Sequence, residues 1–313
     1  MTDITFESFI FGKFDRFERN DTGRNINLQI INGISNDEID KIKEVLFEFG
    51  QLEKIFYFFV EINSKFCIAV LNNEDIKILL LPSNVGINPL NLADALNNYQ
   101  NFDSAIKKFQ LSIPNSKTID PSFLGLNKWK NLEKLIFSLL VKDDIAFVGT
   151  HEEVSSILCL IFEILPVGEQ ANYSFCTQSS SIFQREKLFG IYPSERNQSE
   201  ILENEKRIFK CVLDFSAKNC KGYASTRDTK KITDYLVVND LENAREVINY
   251  LFTSSDKLKD VLGKNYQSMS SIQENIIIEI LHTHYGLTIQ KDTAYLLAKM
   301  LGITITNQFD LLS

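Results

Sequence analysis

The residues most able to act as nucleophiles lie close together in one polar stretch. Ser174, Cys176, Thr177 and the run Ser179-Ser180-Ser181 fall within eight positions. None is framed by the G-x-S-x-G turn that exposes the catalytic serine of α/β-hydrolases. A cysteine nucleophile needs a nearby base, and the sequence offers none beside Cys176. We interpret the stretch as a polar loop, and a hydrolase whose site no motif reveals stays a rival interpretation.

Histidine is scarce, which restricts metal binding and acid–base catalysis. His282 and His284 could offer two imidazoles, but metal-binding pairs on a helix prefer i, i+4 spacing. We predict that they lie at a helix C-terminus, where positive charge is favoured. His151 begins a predicted helix, where its protonated form is disfavoured, and we expect it to face solvent. The sequence predicts no metal site, no cofactor and no catalytic residue.

Other motifs for phosphate or acid–base chemistry are weak. The segment Phe147-Val148-Gly149-Thr150 leads from a strand to a helix start, where backbone amides can bind an anion. Neither a P-loop nor a G-x-G-x-x-G turn is present, so an ordinary strand-to-helix turn is favoured. The pairs Asp143-Asp144 and Glu152-Glu153 fall at element ends, where solvated caps are expected. We therefore expect no intrinsic catalytic activity.

Composition narrows the class of partner and the compartment. The net charge is −8, which argues against a nucleic-acid partner. The five cysteines contain no C-x-x-C pair, so neither a zinc ribbon nor a thioredoxin motif is supported and a reducing compartment is expected. The N-terminus, MTDITFESF, lacks the features of a signal peptide, and apolar runs such as 78–81 are too short to span a bilayer. A cytoplasmic protein without a membrane span is predicted.

The N-terminal part has the predicted order β-β-α-β-β-β. Strands are expected over 4–11, 26–31, 55–62, 66–71 and 76–81. A capping box from Ser35 to Glu38 opens the helix, and Gly50 is expected to end it. This order indicates an antiparallel sheet with a helix on one face. Short helices are predicted over 92–99 and 104–109.

The second part begins with a helix predicted over 129–141 and a strand over 145–148. A second capping box, from Thr150 to Glu153, opens a helix over 152–165 that is apolar on most sides and should be buried. Pro166 stops it. Strands are expected over 172–176, 187–191 and 208–215, and helices over 240–252, 271–282 and 292–300. We expect an α/β (α+β) fold with segments 1–121, 122–225 and 226–313: a sheet domain with a helical extension, a middle α/β domain and a helical C-terminal region.

Several short stretches resemble the bacterial-type GTPase-associated proteins. The stretches GRNINL (23–28) and NGIS (32–35) are similar to the glycine-containing turn, strand and helix start that open this family. The step from Leu165-Pro166 to YSFCT (173–177) resembles the "LLP … lsF-x-T" step of its middle domain, and VLD (212–214) resembles its later strand. The likeness covers residues 4–215. The loop 167–170 lacks the arginine that family members often have.

A second resemblance is to DENN modules. Their longin-like first half has the β-β-α-β-β-β order expected for 4–81, and their second half opens with a helix, a strand and a buried helix, as expected for 132–165. Such modules bind small GTPases, and some catalyse nucleotide exchange. These resemblances imply a non-catalytic regulator or adaptor that binds a GTPase or other protein partner in an intracellular signalling or defence assembly. The alternatives are a DENN-like exchange factor and a scaffold subunit without a GTPase.

One arginine cluster is a candidate partner-binding surface. Arg16, Arg19 and Arg24 lie in the first predicted loop, and arginines commonly stabilise charge in phosphoryl transfer. Arg24 adjoins the glycine turn and is the strongest candidate. Such a cluster also serves solubility, which is the alternative interpretation.

Overall fold

The computed structural model describes residues 2–14, 26–49, 56–72, 75–82, 86–100, 107–113, 128–170, 172–179, 188–191, 209–222 and 226–306. The chain divides into two compact units. The first comprises Met1–Asp120, Ala146–Glu163 and Val167–Glu205, and the second comprises Pro121–Ile145, Ile164–Pro166 and Lys206–Ser313. Helices and strands occur in both units, which confirms the expected α+β class. The three sequence segments stay predictions.

Most strands belong to the first unit. They are β1 (Thr2–Phe6), β2 (Phe9–Phe14), β3 (Ile26–Asn32), β4 (Phe56–Ile62), β5 (Lys65–Asn72), β6 (Asp75–Pro82), β7 (Phe109–Ile113), β8 (Ile145–Val148, whose first residue falls in the second unit), β9 (Phe175–Ser179) and β10 (Leu188–Ile191). The main sheet of this unit has the order β8-β10-β9-β4-β5-β6-β2-β3. Strands β4, β5 and β6 form an antiparallel meander, and β2 returns to pair with β6. The predicted strands 26–31, 55–62, 66–71 and 76–81 are thereby confirmed to within two residues.

Two predictions for the N-terminal part are wrong in detail. The stretch 4–11 holds two strands, because β1 pairs with β7 whereas β2 pairs with β3 and β6. Phe109 was expected to end a helix but begins β7, in which residues facing the core alternate with exposed ones. Residues 104–106 of that predicted helix lie outside the described part of the chain.

Helix α1 (Asn36–Phe49) covers one face of this sheet. Its buried residues Ile39, Ile42 and Leu46 recur at helical spacing and pack with Ile10, Phe58, Cys67 and other residues of β2, β4, β5, β6 and β9. The predicted capping box is present, since the Ser35 amide donates to a Glu38 carboxylate oxygen at 2.9 Å and the Glu38 amide lies 3.4 Å from the Ser35 hydroxyl oxygen. Gly50, predicted to end the helix, lies outside the described residues.

The ionised carboxylate of Glu38 makes the stability of this unit depend on pH. The Lys65 ammonium, 2.8 Å from Oε1, and the amide and hydroxyl of Ser35 hold the pKa of Glu38 at about 2, below its ordinary 4.5. Because the folded pKa is depressed, the contribution is present above pH 4.5 and is lost as pH falls toward 2. We expect Glu38→Gln to lower the unfolding free energy by about 2 kcal/mol at pH 7. The variant should also lose less stability than the unaltered chain as pH falls from 4.5 toward 2.

Urea unfolding at a series of pH values would measure this effect. Glu44→Gln is the matched control, because Glu44 lies on the same helix and is exposed. The prediction would be contradicted if both variants lowered the unfolding free energy equally, or if Glu38→Gln lost as much stability below pH 4.5 as the unaltered chain.

Helices α2 (Pro89–Asn97), α4 (His151–Ile164) and the short α5 (Val167–Gln170) also contribute to the first unit. The Asn88 side chain caps α2 by accepting from the Leu90 amide at 3.0 Å, and its amide donates to the Cys159 carbonyl of α4 at 3.0 Å. The predicted helix 152–165 is confirmed as α4. It is buried as expected, with Leu158 and Ile161 among its covered residues.

The second unit is built mainly from helices. They are α3 (Lys128–Leu140), α6 (Arg227–Val237), α7 (Leu241–Leu262), α8 (Glu274–Tyr285) and α9 (Lys291–Met300), with a 3₁₀ turn at Gly263–Ser268. Helix α3 packs on α6 and on the hairpin of β11 (Cys211–Asp214) and β12 (Asn219–Lys221), and strands β13 (Ser271–Ile272) and β14 (Thr304–Ile305) form a small parallel pair. In the described part of the chain, no helix is both long and apolar enough to cross a membrane.

Candidate functional site

A buried polar cluster in the first unit is the candidate functional site. Thr177 on β9 is fully buried, and its hydroxyl oxygen accepts from the Tyr57 amide of β4 at 2.9 Å. The same oxygen lies 3.0 Å from His151 Nδ1 at the start of α4. Ser155, one turn further along α4, places its hydroxyl 3.4 Å from His151 Nε2. We call Tyr57, Asp94, His151, Ser155 and Thr177 the Thr177 cluster.

The structure corrects the prediction that His151 faces solvent. Its ring lies edge-on to the Tyr57 ring, with centroids 4.6 Å apart and planes at 86°. Burial lowers the pKa of His151, and nearby Asp94 and Glu152 oppose this only in part. Burial therefore favours the neutral imidazole, and each ring nitrogen lies next to a hydroxyl. The contact joins residues 94 positions apart, so no local pattern could have shown it.

The phenol of Tyr57 extends the cluster to α2. Its hydroxyl donates to Asp94 Oδ1 at 2.9 Å. Burial, with the adjacent Asp94 charge, raises the pKa of Tyr57 well above its ordinary value, so the phenol remains protonated. Asp94 also lines an open depression of about 520 Å³ between α2 and β7. The cluster thus runs from the buried Thr177 hydroxyl to a carboxylate at the edge of this depression.

The arrangement can share protons among hydroxyls and one neutral imidazole. The Thr177 hydroxyl both accepts from a backbone amide and contacts Nδ1, so it fixes the ring in place. A nucleophilic role for Ser155 would need Nε2 as its base, but the 3.4 Å separation is long for that bond. The polar contacts of the Thr177 cluster join β4, β9, α2 and α4.

The other nucleophile candidates are not brought to a common site. Cys176 is fully buried in the apolar core beside Ile10 and Phe58. Ser174 is half-buried. The side chain of Ser179, and all of Ser180 and Ser181, lie outside the described residues.

The strand-to-helix turn at Gly149-Thr150 carries a helix cap. The Thr150 amide donates to the Glu153 carboxylate at 2.8 Å, and the Glu153 amide lies 3.3 Å from the Thr150 hydroxyl oxygen. The predicted second capping box is confirmed. A carboxylate therefore occupies the position that an anion would take at this helix start. Asp143 accepts from Lys210 at 2.9 Å, and Asp144 is exposed.

The remaining candidates fall elsewhere in the chain. His282 and His284 lie exposed in the last turn of α8, as predicted, and Gly286 ends that helix in the left-handed conformation. Among the residues that the structure describes, no three potential metal ligands come together. Arg16, Arg19 and Arg24 lie outside these residues, so their partner-binding role stays a prediction.

No family model matches this chain, and none of the curated proteins matches it. The resemblances to GTPase-associated proteins and DENN modules therefore remain a basis for a proposal about function.

The Thr177 cluster yields a stability prediction. Thr177→Val keeps the shape of the side chain but leaves the buried Tyr57 amide without its acceptor, which costs about 1–3 kcal/mol. Thr177→Ser, the matched control, keeps the oxygen and loses only a methyl group, about 1 kcal/mol. Chemical denaturation would measure both, and imidazole NMR would follow His151. A valine variant as stable as the serine variant would contradict the role assigned to this oxygen.

Proposed function

We propose that the protein is a regulator or adaptor that binds a GTPase partner. The observation that carries the proposal is the order and pairing of β2, β3, α1, β4, β5 and β6. These elements form one antiparallel sheet with α1 on a face, which is the order that the resemblance to the longin-like half of DENN modules implies.

The next elements along the chain follow the same resemblance. Helix α3, strand β8 and the buried helix α4 come in the order expected for the second half of such a module. Element order is an analogy at the level of fold, and function must be tested at the binding surface. A fitting partner is a protein whose charge complements an acidic chain of net charge −8.

Capture of defined GTPases in defined nucleotide states tests the proposal. The full chain is immobilised and offered purified GTPases, beginning with any encoded beside its gene, each loaded with GDP, loaded with a non-hydrolysable GTP analogue, or free of nucleotide. We expect at least tenfold preference for one nucleotide-bound state. No capture in any state would overturn the proposal and favour the scaffold alternative.

The exchange-factor alternative predicts a different result in the same experiment. An exchange factor prefers the nucleotide-free GTPase and accelerates release of a fluorescent GDP analogue. Preference for a nucleotide-bound state with unchanged GDP release supports the adaptor instead.

The predicted arginine surface gives a focused variant. Arg24→Ala is expected to weaken capture several-fold while leaving the thermal unfolding of the chain unchanged. Lys230→Ala, which removes one positive charge from an exposed position of α6, is the charge-matched control. Unchanged capture by folded Arg24→Ala would remove the predicted arginine surface from the proposed interface.

A further inference from the structure

Two thiols lie close together in the hairpin of β11 and β12. Cys211 Sγ and Cys220 Sγ are 3.7 Å apart. The strands are antiparallel, with Leu213 opposite Cys220 and Val212 opposite Lys221. Since side chains alternate along a strand, Cys211, Leu213 and Cys220 share one face of the hairpin. Both thiols are buried and free.

A glycine makes room for this approach. Gly222 follows the pair of Val212 with Lys221 and lies next to Cys211. A Cβ atom at Gly222 would lie 3.7 Å from Cys211 Sγ and 3.2 Å from Lys134 Cβ. Without a side chain there, the Cys211 sulfur can lean over the partner strand toward Cys220. Helix α3 covers the face, and its Lys134 ammonium donates to the Cys220 carbonyl at 2.8 Å.

The surroundings make the two thiols unequal. Either thiol can donate in the contact between the two sulfurs, and the Cys220 thiol also has the Lys221 carbonyl at 3.6 Å as an acceptor. The contact with Cys220 lowers the pKa of Cys211; Ser138 and Lys134 lower it further, and burial and Asp143 oppose them. The same contact, together with burial, raises the pKa of Cys220. A thiolate is the reactive form of cysteine. Because Cys220 has the Lys221 carbonyl as a further acceptor for its proton, we assign the attacking role to Cys211 and the resolving role to Cys220.

Cys67 shows the contrasting case within the same chain. It lies in the apolar core of the first unit, where burial alone raises its pKa. Such a cysteine behaves as a small apolar residue. Redox chemistry is thus assigned to the hairpin on geometry that Cys67 lacks.

We propose that Cys211 and Cys220 form a reversible disulfide when the protein meets a hydroperoxide. The Cys211 thiolate attacks the terminal peroxide oxygen, the O–O bond breaks, and a sulfenic acid and an alcohol or water result. The Cys220 sulfur then attacks Cys211 Sγ, the S–O bond breaks and water leaves. Two thiols lose two electrons in total, which the peroxide gains. A small dithiol reverses the step by exchange and is itself oxidised.

Bond formation needs the backbone of the hairpin to move as well as the sulfurs, because the register places the two cysteines diagonally across from each other. The sulfurs must approach from 3.7 Å to about 2.05 Å. Strand β12 has three residues and follows exposed positions 216–218, so its opening gives a small oxidant a route to the buried sulfurs. The bridge would then fix β12 to β11 beneath α3.

Peptide mapping after oxidation tests the proposal directly. Trypsin cleaves after Lys210, Lys218 and Lys221, which places the two cysteines on the separate peptides 211–218 and 219–221. The folded full-length chain is treated with hydrogen peroxide, alkylated and digested without reductant. We expect these two peptides to appear linked as the dominant disulfide, and dithiothreitol to restore both free thiols.

Variants separate the two roles. Cys220→Ser should leave a sulfenic acid on Cys211 that a dimedone probe captures. Cys211→Ser should give neither the linked peptides nor the dimedone signal. Cys67→Ser, the control, should behave as the unaltered chain. Absence of the linked pair in the folded, unaltered chain, or a different dominant pairing, would overturn the proposal. So would dimedone labelling of Cys220 in place of Cys211.

Discussion

Replacing Phe162 by alanine is expected to lower the unfolding free energy by about 3–5 kcal/mol. Its side chain on α4 is 1% exposed. The ring lies 5.8 Å from the Phe59 ring of β4 and 5.4 Å from the Phe175 ring of β9, centroid to centroid, and both contacts are edge-to-face. Phe59 and Phe175 stack on one another at 5.7 Å. Truncation therefore removes buried apolar area and two aromatic contacts, and leaves a cavity among three elements.

Urea denaturation followed by far-UV circular dichroism would measure this loss. Val167→Ala is the control, because Val167 is 53% exposed and should change stability by no more than about 0.5 kcal/mol. Phe162→Leu should fall between the two, since leucine refills part of the space. A loss below about 1 kcal/mol for Phe162→Ala would mean that α4 does not pack against β4 and β9 as described.

The helix that carries Phe162 could be predicted because its signals are local. Thr150 and Glu153 mark its start, its apolar residues cover most of its surface, and Pro166 follows its end. The same holds for α1, which the Ser35–Glu38 pair opens. Caps and spacing depend on residues within about four positions of each other, so a single sequence contains all the information.

Pairings between distant segments could not be predicted in the same way. Strand β1 pairs with β7 across more than 100 residues, and His151 contacts Tyr57 across 94. The alternation of Phe109, Leu111 and Ile113 is a strand signal that the sequence itself carries. No comparable signal marks His151, because its burial is decided by a strand far away in sequence.

The cysteine pair illustrates a third limit. Cys211 lies in a predicted strand, but β12 has only three residues and no alternation to reveal it. Without β12 there is no hairpin, and without the hairpin nothing brings Cys220 to Cys211. The turn at Ala217-Lys218 lacks the glycine that often announces such a reversal, and Lys218 adopts a positive φ of 51° instead.

Replacing Lys77 by methionine is expected to lower the unfolding free energy by about 3–4 kcal/mol. Lys77 lies on β6, is 5% exposed, and its ammonium donates to the carbonyls of Leu96, Asn97 and Tyr99 at 3.2, 2.7 and 2.7 Å. Leu96 and Asn97 lie in the last turn of α2 and Tyr99 follows it, and positive charge is favoured at this end of a helix. Methionine fills a similar volume without a donor, so the loss reports the hydrogen bonds and not a cavity.

Burial offsets part of the stabilisation that the Lys77 hydrogen bonds provide, because it disfavours the charged amine and so lowers the pKa of Lys77. The net effect is nevertheless destabilising, because three carbonyls lose the Lys77 ammonium at once while one desolvation cost is relieved. Lys13→Met on the neighbouring strand β2 is the control. The Lys13 side chain is more than half exposed, and its ammonium makes only a long contact of 3.9 Å with the Asp75 carboxylate. Its replacement should therefore lower the unfolding free energy by no more than about 0.5 kcal/mol. If both variants lose equally little, desolvation cancels the three hydrogen bonds. If Lys77→Met alone loses several kcal/mol, the ammonium is the cap that fixes α2 to the sheet.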